Sequence, residues 1–104
     1  MSLSAPLVSI VIIHYHSGDY IFDCINAISQ QTYPSVEVIV IDNDSQDAAS
    51  IALKRLATEG EITYLLMSTN AGASAANNRG IKAAVGDFVL VLNADVFLEP
   101  NFIA

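Results

Sequence analysis

The apolar residues of the chain cluster into four short runs separated by polar turns. The first run, Leu7–Tyr15, is almost continuously apolar, which is typical of a β-strand covered on both faces. The three later runs are also of strand length: Val36–Asp42, Ile62–Met67 and Asp87–Leu92. None of the four approaches the ~20 apolar residues that a membrane-spanning helix requires. The pattern therefore predicts four buried strands.

Between the strands, apolar and small residues recur at helical spacing. The first such stripe predicts a helix from Asp19 to about Gln31, ended by Pro34, which lacks an amide hydrogen. A second helix is expected to begin with Asp44 or Ser45 as its N-cap and to run to about Glu59. The residues of the first stripe are Ile21, Cys24, Ile25 and Ile28.

A third, alanine-rich helix is predicted from Gly72 to Ala84, and Gly86 ends it. Small side chains on one face of this helix would let its backbone approach the sheet closely. The residues of that predicted face are Ala73, Ala76, Asn77, Gly80, Ile81 and Ala84. Pro100 is expected to open a further helix.

The alternation of strands and helices predicts an α/β fold with a parallel sheet and right-handed crossovers. If the sheet is open and doubly wound, its expected strand order is 3-2-1-4. Strands one and four then lie side by side at the topological switch point, where such folds bind ligands at the carboxyl ends of the strands.

Three polar clusters follow strands at that predicted edge. Strand one ends at His14-Tyr15-His16, strand two at Asp42-Asn43-Asp44, and strand four at Asn93-Ala94-Asp95. Because the carboxyl ends of parallel strands meet at one edge, we expect the three clusters to converge there. This convergence predicts a ligand site on an otherwise apolar sheet.

Each residue of these clusters has a functional and a structural interpretation. Asp95 could bind a hard cation such as Mg²⁺ or cap a turn. Asn93 could hold a ribose hydroxyl or belong to the same turn. Asp42 could accept a hydrogen bond from a pyrimidine N–H or from ribose, or form an Asx turn. Tyr15 could stack on a base or pack in the core.

Two further motifs are weaker signals. His14 and His16 form an H-x-H that would place both rings on one side of a strand, but two imidazoles without a third ligand are more often ordinary polar residues. Arg79, in the third predicted helix, could reach a phosphate, although helix arginines are usually solvated. The chain has no G-x-x-x-x-G-K, G-x-G-x-x-G or G-x-S-x-G motif.

Composition and charge restrict the kinds of ligand and partner that the chain can bind. The formal net charge of −7 argues against nucleic-acid binding, which needs a basic surface. Only four Lys and Arg residues could neutralise a phosphate ligand, so a divalent cation would be the natural bridge. The chain is 53% hydrophobic and 14% charged, which indicates a sheet buried on both faces or an apolar surface that meets a partner. The single cysteine, Cys24, excludes an internal disulfide.

Longer stretches of the chain resemble a known family. The segments "QQTYP", "VIVIDN", "AANNRGI", "GDF" and "LNADV" occur in the order and spacing of family 2 glycosyltransferases of the GT-A type, over about Val8 to Ile103. Within that family the sequence looks most similar to rhamnosyltransferase-like members. The resemblance implies a Rossmann-like, nucleotide-binding half of a GT-A fold in residues 7–104, with residues 1–6 as a leader and the acceptor-binding half absent.

The resemblance also implies roles for individual residues. Tyr15 and Asp42 would contact the base and ribose of a UDP- or dTDP-sugar, and Asp95 would bind Mn²⁺ or Mg²⁺. Asn93 stands at the first acid of the family's D-x-D motif, so one anionic ligand is lost. Two more positions match the family's donor region: Gly72, in the segment approaching the donor, and Asn78, which supports that loop.

The implied reaction is the inverting transfer of a sugar to an acceptor hydroxyl, as in surface polysaccharide assembly. No residue here matches the family's catalytic base, so we expect the chain alone to be inactive. Exposed apolar surface left by the truncation predicts a homo-oligomer. A cytoplasmic location is expected, with the full-length protein associated with the inner face of the membrane.

Two other functions fit an α/β chain. A sugar nucleotidyltransferase would need a Gly-rich basic loop after strand one, where this chain has "HYHSGDY". A non-enzymatic binding or signalling module of the receiver type would need a lysine at its last strand, and no lysine follows Lys82.

Overall fold

The computed structural model describes residues 6–16, 18–43, 47–67 and 72–94. Four strands and three helices alternate in these residues, as the sequence predicts. The strands are β1 Val8–His14, β2 Val36–Asp42, β3 Thr63–Leu66 and β4 Phe88–Asn93. The helices are α1 Tyr20–Ser29, α2 Ala48–Thr58 and α3 Ala73–Ala83. The boundaries differ from the predicted ones by a few residues at most, and the start of α2 shows the largest difference.

The four strands form one parallel sheet in the order β3-β2-β1-β4, which confirms the predicted 3-2-1-4 order. β1 is central, pairing with β2 on one side and with β4 on the other. The run of fully buried residues in β1 follows from this position, because both of its faces are covered by helices.

The helices divide between the two faces of the sheet. The stripes of α1 and α2 pack with Ile10, Ile12 and Val40 in the larger core cluster. On the other face, α3 packs through Ala76 against Val11 and Ile41. Alternate residues of a strand point to opposite faces, so each strand feeds both clusters. Both faces of β1 and β2 are therefore covered by helices, which matches the high apolar content of these strands.

Helix α3 lies against the sheet through its smallest residues. A Cβ on Gly80 would overlap the side chain of Val11 and lie 3.3 Å from Ile41 Cγ1. Ala76 is fully buried, whereas Ile81 is 47% exposed. The prediction that Ile81 belongs to the buried face is therefore wrong, because the contact stripe is centred on Ala76, Gly80 and the partly buried Ala83 and leaves Ile81 at its side. Nothing is described of the Ala73 side chain.

The start of α2 also differs from the prediction. Its N-cap is Asp47, whose Oδ1 accepts a 3.0 Å hydrogen bond from the Ser50 N–H. The Asp47 N–H in turn contacts Ser50 Oγ, which completes a capping box. The predicted caps, Asp44 and Ser45, lie outside the described residues and precede this start. Of the described helices, none is long and apolar enough to cross a membrane.

Candidate functional site

The strand register brings the predicted polar clusters to one edge of the sheet. His14, the last residue of β1, pairs with Asp42, the last residue of β2. On its other side, β1 pairs with β4 through Ile13 and Asn93. The carboxyl ends of the three strands are therefore level to within one residue. Asp95, the predicted metal ligand, lies outside the described residues.

Tyr15 follows β1 directly and is not part of the core. Its side chain is about half exposed, and its ring centroid lies 4.5 Å from that of His16 with the two planes tilted by 59°. His16 has a left-handed backbone with a φ of 50°, which is uncommon for a residue other than glycine. An exposed aromatic face at this edge is suited to stacking on a flat ligand.

Asp42 is fully buried at the end of β2. Its Oδ2 accepts a 2.5 Å hydrogen bond from the Tyr64 hydroxyl of β3 and a second, short one from the Ser50 hydroxyl of α2. Burial and the hydrogen bond to Asp42 raise the pKa of Tyr64 above its ordinary value of 10.0, so the phenol keeps its proton at neutral pH. These contacts show that the Asp42 carboxylate points to the face of the sheet that α1 and α2 cover.

The carboxamide of Asn93 lies on the other face. Asn93 is exposed at the end of β4, between Leu92 and Ala94, which both belong to the α1/α2 cluster. Side-chain alternation therefore directs Asn93 toward the α3 face. Asn43 follows Asp42 by one residue and is buried, and its N–H donates a 2.8 Å hydrogen bond to the His14 carbonyl. The edge thus presents different groups on its two faces.

The two histidines of the H-x-H motif both contact Asp47. Nε2 of the fully buried His14 lies 3.2 Å from Asp47 Oδ1, and Nδ1 of His16 lies 3.7 Å from Oδ2. Burial acts to raise the pKa of Asp47, but hydrogen bonds from His14 and Ser50 outweigh it, so this pKa lies below its ordinary value. Among the described residues, no group of three or more His, Cys, Asp or Glu could hold a metal ion.

The remaining predicted residues lie on α3. Gly72 precedes the helix with a φ of 91°, a conformation that suits glycine, and its carbonyl accepts a hydrogen bond from Ala76. Asn78 is exposed, and helical geometry places it opposite Ala76 and Gly80, which contact the sheet. Arg79 is exposed as well. The structure therefore does not bring Asn78 toward the sheet, and its role in supporting the donor loop stays a prediction.

Sequence analysis missed three residues that organise this edge: Ser50, Asp47 and Tyr64. Asp47 and Ser50 carry a readable signal, since the spacing D-x-x-S before a helical stripe is that of a capping box. Tyr64 carries none, because its contact with Asp42 depends on the pairing of β3 with β2.

The cavities are divided between the two ends of the sheet. One of about 640 Å³ lies between α1, α2 and the first half of β2, and its lining includes Phe22, Val36 and Leu56. That position is remote from the carboxyl edge. A cavity of about 380 Å³, lined by His16 and by Asp19 and Asp23 of the α1 region, adjoins the edge.

Comparison with solved structures identifies the fold. The S. aureus TarS 1-349 structure in complex with UDP matches 91% of this chain and 29% of its own, with a TM-score of 0.81 and 26% identity. The Pyrobaculum calidifontis mannosyltransferase PcManGT, in complex with GDP-Man and Mn²⁺, matches 90% of this chain and 29% of its own, with a TM-score of 0.77 and 27% identity. These similarities confirm the predicted GT-A fold.

Sequence comparison agrees with the structural one. Glycosyltransferase GlyG of Streptococcus pneumoniae serotype 4 is 30% identical over 100 residues, which cover 95% of this chain and 33% of GlyG. The chain thus spans about a third of the length of the curated relatives that it matches. The model of the family described as Glycosyl transferase family 2 matches residues 9–104. Since that match covers nearly the whole sequence, the chain belongs to glycosyl transferase family 2.

Proposed function

We propose that this chain is the nucleotide-sugar-binding part of a glycosyltransferase, and that its ligand lies at the carboxyl edge of β1, β2 and β4. One observation carries the proposal: the register sets the ends of these strands level, with Tyr15, Asp42 and Asn93 at the edge. The similar TarS structure holds UDP and the similar PcManGT structure holds GDP-Man, which supports a nucleotide-diphosphate sugar as the ligand here.

The exposure of the site residues suggests how they share the ligand. The half-exposed ring of Tyr15 is the proposed stacking surface for the base, and exposed Asn93 is suited to hydrogen bond the ribose. Asp42 is proposed to contact the base or ribose, but its carboxylate is fully buried, so a ligand must displace the groups covering it. Gly72, at the start of α3, would let the backbone approach the donor without a side chain in the way.

A divalent metal fits the donor atoms of this edge. Asp95 would supply a carboxylate oxygen ligand, which Mg²⁺ and Mn²⁺ prefer, and the diphosphate would supply further oxygens. When bound, such an ion would neutralise negative charge on the departing nucleoside diphosphate. The Mn²⁺ in the PcManGT complex supports this part of the proposal.

The proposed reaction is an inverting displacement. A base removes the proton of the acceptor hydroxyl, the oxygen attacks the anomeric carbon, and the bond from that carbon to the diphosphate breaks on the opposite face. No described residue is proposed as the base, so the reaction would need the acceptor-binding part of the full-length enzyme. We expect this chain alone to bind nucleotide weakly and to transfer no sugar.

The proposal also covers self-association of the chain and the cellular role of the full-length enzyme. Exposed apolar residues lie on and beside β4, an outer strand of the described sheet, and support self-association: Val85, Phe88, Val89 and Val91. We further propose that the full-length enzyme acts in surface polysaccharide assembly, in the cytoplasm at the inner face of the membrane.

Calorimetry with UDP and dTDP, each with and without Mn²⁺, tests the proposed site. We expect binding that Mn²⁺ strengthens, that Tyr15→Ala weakens and that Asp95→Ala makes independent of Mn²⁺. The matched control is Tyr20→Ala, which removes another exposed tyrosine from the start of α1 and should leave affinity unchanged. Absence of binding to either nucleotide under all four conditions would instead favour a non-enzymatic module.

A further inference from the structure

The H-x-H motif forms a cluster that the proposed function does not use. Its two imidazoles lie at the two different oxygens of one carboxylate, with His14 Nε2 3.2 Å from Asp47 Oδ1 and His16 Nδ1 3.7 Å from Oδ2. The His14 side chain is fully buried, whereas that of His16 is 55% exposed. The capping box holds Asp47 at the start of α2, and His16 is the more exposed of its two histidine partners.

His16 is also tied to Tyr15. The two residues are adjacent, their ring centroids lie 4.5 Å apart, and the left-handed backbone of His16 sets the direction in which the chain leaves β1. A residue in this conformation persists only where surrounding contacts hold it. His16 thus contacts both the Asp47 carboxylate and the Tyr15 ring.

The described charged groups nearest to His16 are carboxylates. Asp47 faces it from the start of α2, and Asp19 and Asp23 line with it the 380 Å³ cavity at the start of α1, together with Tyr20. Tyr15, which directly follows β1, lies beside the His16 ring. His14, the last residue of β1, contacts the other oxygen of Asp47. Among the residues that the structure describes, neither Lys nor Arg lines this cavity or the adjoining one, which is lined by Asp19 and Asp47. An imidazole without a perturbed environment changes its charge between pH 5 and 8.

We propose that His16 is a positioning residue for the nucleotide site: as an imidazolium paired with Asp47, it holds the Tyr15 ring in the orientation that stacks on the base. This inference rests on the proposed function, because it assumes that Tyr15 receives the base. It gives the H-x-H motif a role that needs no metal. It also makes nucleotide affinity depend on pH, with tighter binding when His16 is protonated.

Calorimetry with UDP at pH 6 and pH 8, at constant Mg²⁺, tests the proposal. We expect the wild-type dissociation constant to rise by about two- to fivefold between these pH values, as befits a partly exposed ion pair. His16→Asn is the main variant, because asparagine also tolerates a left-handed backbone but does not titrate. The phosphate groups of UDP titrate in the same way with wild type and with His16→Asn. The ratio of the two dissociation constants at each pH therefore gives the contribution of His16 alone.

Two variants that each remove one carboxylate show which residue causes the pH dependence of UDP affinity. Asp47→Asn keeps an N-cap and removes the anionic partner, so it should flatten the profile as His16→Asn does. Asp23→Asn removes a neighbouring carboxylate that does not contact His16 through a hydrogen bond or ion pair, and it should keep the wild-type profile. If Asp23→Asn flattens the profile as much as Asp47→Asn, the specific pairing is refuted.

A double-mutant cycle separates positioning from direct attraction between the imidazolium and the diphosphate. In a Tyr15→Leu background, His16→Asn should change the affinity by less than about 1.5-fold, because the ring to be positioned is absent. An undiminished effect in that background, or a wild-type pH profile in His16→Asn, would overturn the proposal. If wild-type protein fails to bind UDP at either pH, the proposed function itself fails, which is a distinguishable result.

Discussion

The hydroxyl of Tyr64 donates a 2.5 Å hydrogen bond to Oδ2 of Asp42, and so links β3 to the end of β2. Ser50 donates to the same oxygen from α2. A buried carboxylate without hydrogen bonds would be costly, so these two hydroxyls allow an acidic residue to stand at the end of a buried strand. Two other elements of the fold, β3 and α2, thus hold the Asp42 carboxylate at the end of β2.

Removing the Tyr64 hydroxyl should destabilise the fold. Tyr64→Phe leaves the buried Asp42 carboxylate with one donor fewer, and we expect a loss of about 1.5–3 kcal/mol in the free energy of unfolding in urea. Tyr33→Phe is the matched control, because the Tyr33 hydroxyl donates to the Pro6 carbonyl at an exposed site and its loss should cost less than about 0.5 kcal/mol. Equal losses in the two variants would contradict this account.

The difference in stability between wild type and Tyr64→Phe should also depend on pH in the alkaline range. The pKa of Tyr64 is raised by burial and by Asp42, so the hydroxyl contributes fully below the unfolded value of 10.0. As the pH rises above 10.0 toward the higher folded value, that contribution is lost. The difference in stability between wild type and Tyr64→Phe should therefore be constant up to about pH 9 and shrink above pH 10.

Asp47 should contribute to stability as a helix cap and as an anion. Asp47→Ala removes the cap of α2 and should cost about 1 kcal/mol, measured by urea unfolding at pH 7. Asp47→Asn keeps a capping oxygen and should cost less. Because the folded pKa of Asp47 lies below the ordinary 3.8, its charge stabilises the fold above pH 3.8 and ceases to do so as the pH falls below that value.

Acid titration therefore distinguishes the two Asp47 variants from wild type. The stability gap between wild type and Asp47→Asn should be constant between pH 5 and 7 and narrow below about pH 4. A gap that stays constant as the pH falls below 4 would show that the native contacts of Asp47 do not depend on its charge.

The close contact between α3 and β1 predicts the effect of a single methyl group. Gly80→Ala raises helix propensity, but its Cβ would overlap the buried side chain of Val11, so we expect destabilisation by about 1–3 kcal/mol. Val11→Ala creates space at the same point. In the double variant the two costs should be less than additive, and full additivity would mean that the two residues do not meet.

The apolar surface of β4 predicts self-association. Val89 and Val91 are exposed on the α3 face of this outer strand, and light scattering should show oligomers of wild-type protein at high concentration. Val89→Lys/Val91→Lys should shift the protein toward monomer. Ile51→Lys, which removes an exposed apolar residue from α2, is the control and should not. A wild-type protein that stays monomeric at every concentration would refute the self-association.

The order of the elements and the position of the site followed from local patterns. A buried parallel strand leaves a continuous apolar run, an amphipathic helix leaves a stripe, and their alternation restricts the sheet to few topologies. Polar residues directly after β1, β2 and β4 could thus be assigned to one edge from sequence alone. The caps and faces of the helices do not follow from such patterns, because the start of α2 depends on Asp47 and the exposure of Ile81 on the rotation of α3 against the sheet.

What the sequence determined by itself was the succession of strands and helices and the chemical groups that follow each strand, because both are local properties of the chain. Only the tertiary structure decided which groups meet. In the folded protein Asp42 contacts Ser50 and Tyr64, both histidines contact Asp47, and Tyr15 is half exposed. The side-chain hydrogen bonds among these contacts join residues 8 to 33 positions apart in the sequence. They depend on the pairing of β3 with β2 and on the rotation of each helix against the sheet, and no local pattern of residues encodes either.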